Sequence, residues 1–204
     1  MTADGVAEGA PRVSPWNIAN YLTVLRLLLV PVFLVLLLAD QGDNTGLRLA
    51  AAAVFVLAAV TDRIDGQIAR SRGLVTSFGK LADPIADKAL IGAVLVGLSL
   101  LDQLPWWVTV LVLVREVGVT LLRFVVIRHG VMPAGRGGKL KTVLQIVAIT
   151  AYLLPLTGLL RGGAVVLMVA AVLLTVVTGA EIVAKALVLR TTSERADRKR
   201  QARL

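Results

Sequence analysis

Four aspartates stand close together in an otherwise greasy chain: Asp62, Asp65, Asp83 and Asp87, all within TDRIDGQIARSRGLVTSFGKLADPIADK at residues 61–88. The first pair is three residues apart and the second four, spacings that put each pair on one face of a helix. A turn around Arg72 and Gly73 makes the two helices antiparallel neighbours, so the pairs converge. Ionised carboxylates near a bilayer are costly unless paired or solvated, and four together repel unless cations bridge them. Two Mg²⁺ ions balance four carboxylates, and Mg²⁺ is typically held by carboxylates together with substrate phosphates. Such ions polarise a phosphoryl group and clamp attacking and leaving oxygens. Gly66 and Gly79 leave room for a bulky ligand or a close helix contact. Arg70 adds a cation for a phosphate. The plainer alternative makes each aspartate a wet residue at a helix end, paired with Arg63, Arg70 or Lys88. It suits one aspartate better than four on convergent faces.

The elements that must position these groups are membrane helices. Of 204 residues, 57% are hydrophobic and the mean hydropathy is +0.82, whereas a soluble domain is roughly 45–50% apolar. Runs such as LTVLRLLLVPVFLVLLLA and AVVLMVAAVLLTVVTGA approach the about 20 apolar residues a span needs. The sequence predicts an all-α integral membrane protein with six transmembrane helices at 21–39, 48–71, 83–102, 105–128, 140–158 and 163–189. The breaks are DQGDNTG, Asp102 to Pro105, and Gly162-Gly163. Ser14-Pro15-Trp16 starts a short interfacial helix. Residues 1–13 read as a disordered N-terminus, 14–190 as one domain and 191–204 as a basic tail. No signal peptide is apparent, since the first apolar run is long enough to span and lacks a cleavage site.

The net charge of +9 does not point to nucleic acid, because the basic residues gather at span ends and in the tail. Lys/Arg counting puts both termini and the four aspartates on the cytoplasmic side, with anionic lipid as the partner of the basic tail. There are no cysteines, which excludes disulfides and thiolate metal sites.

The pattern D-x2-D-G-x2-A-R-x8-G-x3-D-x3-D is filled by Asp62, Asp65, Gly66, Ala69, Arg70, Gly79, Asp83 and Asp87. It resembles, without a departure, the signature of the CDP-alcohol phosphatidyltransferases. NIANYLTVLRLLLVPVF at 17–33, REVGVTLLRFVVIRHG at 115–130 and RGGKLKTVLQIVAI at 136–149 look like the branch whose acceptor is glycerol 3-phosphate. Residues 16–190 are covered. The resemblance implies a six-span homodimer of a bacterial plasma membrane, with a cytoplasm-facing polar active-site cavity and two Mg²⁺ ions, replaceable by Mn²⁺. It implies transfer of a phosphatidyl group from CDP-diacylglycerol to an alcohol, with release of CMP. By position, Asp62, Asp65, Asp83 and Asp87 are metal ligands and Asp87 is also the proton acceptor. Gly66, Arg70 and Thr76 match contacts to the CDP moiety, and Asn20, Tyr21, Leu22 and Thr23 match a nucleotide-lipid contact.

The acceptor is read from the remaining odd residues. Arg115 and Arg123 are eight apart, nearly on one helix face, and Lys139 and Lys141 open the fifth span. Arginines are costly in lipid and point inward, so these four cations suit an acceptor that carries a phosphate. Inositol phosphate, or phosphatidylglycerol as in a cardiolipin synthase, is the rival within the family. Glu116 partners an arginine, and His129 is a solvated loop residue. Tyr152, Trp106 and Trp107 serve packing or the interface, and Gly92 and Gly97 serve helix packing. An intramembrane prenyltransferase would carry its aspartate motifs on separate, distant spans. A cation channel needs acids along a path to the far side, where only Glu116 and Glu181 are on offer.

Overall fold

A computed structural model describes the backbone of residues 18–71, 77–126 and 136–201. Side chains are described for 21–62, 85–122, 138, 140–186 and 188. The elements are α1 (Ile18–Leu38), α2 (Thr45–Ser71), α3 (Ser77–Leu100), α4 (Trp106–Val126), α5 (Arg136–Leu153) and α6 (Gly158–Gln201). Among the described residues there is no strand. Helices keep every backbone hydrogen bond inside the segment, which an apolar solvent requires. Tyr21–Gly42, Thr45–Asp62 and Gly158–Ala186 are long and apolar enough to cross a membrane. The interfacial helix expected from Ser14 lies outside the described residues.

Sequence punctuation sets most helix ends. After α1 the chain makes a tight 3-10 turn, Ala39–Gly42, with Asp40, Gln41 and Gly42 all in left-handed backbone at φ 54°, 52° and 78°. Asn44 then caps α2, its Oδ1 accepting from the Leu47 amide at 3.1 Å. α3 closes with the amides of Gln103 and Leu104 both on the Leu98 carbonyl, at 2.9 and 3.2 Å.

Gly162-Gly163 is not the break between the last two helices. Both glycines lie inside α6, and the chain turns instead at residues 154–157. Pro155 disfavours helical backbone at Leu154, and Gly158 takes a left-handed φ of 54° as α6 begins. Glycine costs a helix about 1 kcal/mol against alanine, too little to stop one of 44 residues. α3 also starts six residues before the expected 83. α6 runs past 189 to Gln201, where Glu, Arg, Lys, Gln and Ala favour helix.

α1 packs against α2 and α3, α5 against α2 and α6, and α4 against α3 and α6. This closes a ring in the order α1–α2–α5–α6–α4–α3. The two aspartate-bearing helices are therefore not close neighbours along their described lengths. They touch briefly, and α1 lies against both.

One end of the ring is filled. Phe33, Leu37, Phe55, Leu95, Leu98, Ile149 and Leu153 are fully buried there, with the Phe33 and Phe55 rings 6.4 Å apart. A Cβ on Gly97 would meet Leu37 Cδ2 at 2.7 Å, and one on Gly92 would meet Leu113 at 3.3 Å, so both glycines serve packing. Ser99 and Thr109 share a buried hydroxyl pair at 2.7 Å. Below that core Arg48 donates to Gln103 Oε1 at 2.8 Å and to the carbonyls of Tyr152 and Leu153 at 3.1 and 3.3 Å. Arg161 lies over the Tyr152 ring, 4.3 Å from its centroid. The outside of the bundle is apolar, with Val35, Leu57, Val114, Val166 and Val177 well exposed. That surface suits lipid.

Candidate active site

The other end of the ring holds a cavity of about 380 Å³ to which all six helices contribute. Asp62 of α2 and Asp87 of α3 both line it, so one aspartate from each pair opens on the same space. Asp65 and Asp83 lie one helical turn away on the same helices, and their side chains fall outside the described residues. So do those of Asn20, Arg70, Arg123 and Lys139, together with Gly66, Thr76 and His129. Of the expected nucleotide-lipid contacts, Thr23 is buried, Leu22 half-buried and Tyr21 exposed.

Among the described residues, Asp62 has a partner that the sequence did not suggest. Asp62 pairs with Arg26 of α1, Nη1 to Oδ1 at 2.6 Å. The Arg26 side chain is only 3% exposed. Lys88 turns to Glu116 at 3.0 Å. Sequence reasoning passed over Arg26, although its signal was plain: a lone arginine in an apolar helix has to face a polar interior.

Glu116 is the second surprise. Its carboxylate receives Lys88, Arg115 and Lys141, joining α3, α4 and α5. Arg115 lines the cavity while donating to the Thr175 carbonyl at 3.0 Å and to Thr178 Oγ1 at 2.9 Å, both on α6. A Cβ on Gly179 would stand 3.0 Å from Arg115 Cγ, so that glycine makes room for the arginine. Lys141 is buried and lines the same space. Of the four expected acceptor cations, Arg115 and Lys141 are thus brought together at the cavity.

The donor atoms offered to a metal are carboxylate oxygens, the ligand class that Mg²⁺ prefers. Among the described residues no three His, Cys, Asp or Glu side chains gather as a metal site. Asp62 and Asp87 fit as part of a set that Asp65 and Asp83 would complete. The cavity brings this carboxylate edge beside a cationic wall.

Comparison with known proteins agrees. The family model of CDP-alcohol phosphatidyltransferases matches residues 16–177. A probable phosphatidylglycerophosphate synthase of Mycobacterium tuberculosis is 56% identical over 183 residues, covering 90% of this chain and 87% of that one. The CDP-diacylglycerol–glycerol-3-phosphate 3-phosphatidyltransferase of Bacillus subtilis is 40% identical over 149 residues, 68% of this chain and 77% of that one. A CMP-forming cardiolipin synthase of Streptomyces coelicolor is 37% identical over 117 residues, 57% of this chain and 54% of that one. With the signature complete and Asp62 and Asp87 opening on one cavity, the chain belongs to the CDP-alcohol phosphatidyltransferase family.

Proposed function

We infer that the protein is a phosphatidylglycerophosphate synthase, which transfers the phosphatidyl group of CDP-diacylglycerol to glycerol 3-phosphate and releases CMP. The observation that supports it most is the shared lining of one cavity by Asp62, Asp87, Arg115 and Lys141. The relatives that align over most of their length carry the same activity in their names, whereas the cardiolipin synthase aligns over about half.

Asp62, Asp65, Asp83 and Asp87 would hold two Mg²⁺ ions. Bound there, they supply Lewis-acid stabilisation of the diphosphate and the departing CMP. Arg115 and Lys141, with Arg123 and Lys139, hold the acceptor's phosphate and aim its free hydroxyl. Asp87 takes the hydroxyl proton as the new bond from oxygen to phosphorus forms and the bond to CMP breaks. Gly66, Arg70 and Thr76 meet the CDP moiety, and residues 20–23 meet the nucleotide-lipid. The acyl chains stay against the apolar outer surface of the helices. Six spans, both termini on the cytoplasmic side of a bacterial plasma membrane and a homodimer complete the proposal.

The test is incubation of purified protein with CDP-diacylglycerol, Mg²⁺ and each candidate acceptor, following CMP. Release with glycerol 3-phosphate and none with glycerol is the expected result. Release with inositol phosphate alone, or with phosphatidylglycerol alone, replaces the acceptor assignment.

A further inference from the structure

Glu116 sits where cations from three helices meet. Its Oε2 accepts from Lys88 of α3 at 3.0 Å, and its Oε1 accepts from Arg115 at 3.0 Å and from Lys141 of α5. Arg115 is tied from behind to α6. All are largely buried, with side-chain exposures of 13% for Glu116, 8% for Lys141 and 26% for Lys88.

Even with Asp87, which also faces Lys88 and Lys141, two carboxylates stand against three cations, and buried charges recover their desolvation cost only when well matched. The excess positive charge borders the cavity. A phosphate monoester brings up to two negative charges near neutral pH, which would balance it. Each lysine spends one N–H on Glu116 and has two left.

We propose that Glu116 is the positioning residue of the acceptor site. Its carboxylate fixes the ammonium group of Lys141 at the cavity wall, so that its remaining N–H donors meet the phosphate of a monoester acceptor. Glu116 touches no substrate atom itself and acts through Lys141. Without it three like charges repel across α3, α4 and α5, and Lys141 loses its fixed place. This rests on the proposed transferase reading and adds the residue that sets its acceptor geometry.

Glu116→Gln keeps the shape and removes the charge. The KM for glycerol 3-phosphate is expected to rise about tenfold or more, the scale of a misplaced charged hydrogen bond, while the KM for CDP-diacylglycerol stays where it was. Lys141→Met gives a similar rise, and the double variant is no worse than Lys141→Met alone, since coupled residues are not additive. Additive effects, or equal rises in both Michaelis constants, overturn the proposal. Should Glu116→Gln fail to fold, the same cycle with Glu116→Asp reads the coupling. A smaller rise that vanishes in the Lys141→Met background supports the proposal, and one that persists overturns it. If the unaltered protein uses no phosphomonoester at all, the acceptor assignment on which the proposal rests fails. If it uses one and the cycle is additive, only the role of Glu116 falls.

Discussion

At the closed end of the bundle, Arg48 and Arg161 meet mainly backbone. Arg48 donates to two carbonyls and the Gln103 side chain, and Arg161 rests on the Tyr152 ring. At the cavity end, Arg26 and Arg115 meet carboxylates, and those carboxylates border an open space. The residue type is the same and the consequence differs. Neutral acceptors fix an arginine and leave nothing for a ligand to complete. Carboxylates beside a cavity leave a charge pattern that an incoming phosphate or metal can finish. An arginine in an apolar helix is therefore a staple or a binding group according to what faces it.

The largest effect expected from this contrast is at the aspartates. Chelation of divalent ions should abolish CMP release, and Mg²⁺ or Mn²⁺ should restore it, because the carboxylates cannot hold a diphosphate unaided. Turnover that survives excess EDTA would break the contrast at its strongest point. Next comes Asp87→Asn, for which kcat should fall by about 10²–10⁴, the usual worth of a positioned base. Binding of CDP-diacylglycerol, measured separately, should persist. A third change tests the cationic wall. Arg123→Ala should raise the KM for glycerol 3-phosphate about tenfold and leave that for CDP-diacylglycerol unchanged.

The closed end should behave in the opposite sense. Arg48→Ala removes three hydrogen bonds that join α2 to the connection between α3 and α4 and to the end of α5. It should cost on the order of 2 kcal/mol, seen as earlier thermal unfolding in detergent, with both Michaelis constants intact. Altered substrate constants would mean that the two ends are coupled. The smallest effect is Gly97→Ala, whose Cβ would press on the tip of Leu37. About 1 kcal/mol of destabilisation is expected, with no kinetic change.

The six helices of the described residues were legible in the sequence because apolar runs and Gly/Asp/Pro punctuation are local signals. Their ends were less so. Gly162-Gly163 looked like a break, yet Pro155 stops α5, since a proline constrains its predecessor while glycine only weakens a helix. The aspartates stood out by spacing, and Asp62 and Asp87 do open on one cavity. The partner of Asp62 was hidden, because Arg26 lies 36 positions before it in sequence and only the packing of α1 against α2 joins them. Glu116 was noted as a partner for an arginine. Its contacts with Lys88 and Lys141 depend on how α3, α4 and α5 meet, which no local pattern encodes.

The turn after α1 holds a practical reserve. Asp40 and Gln41 adopt left-handed backbone there, a conformation that costs residues other than glycine roughly 1–2 kcal/mol each. Asparagine tolerates it better, since its short side chain can hydrogen-bond locally. The turn lies across the molecule from the chemistry. Gln41→Asn is thus a route to a hardier preparation for laboratory work, lengthening its working life in detergent while the enzyme being assayed stays the same.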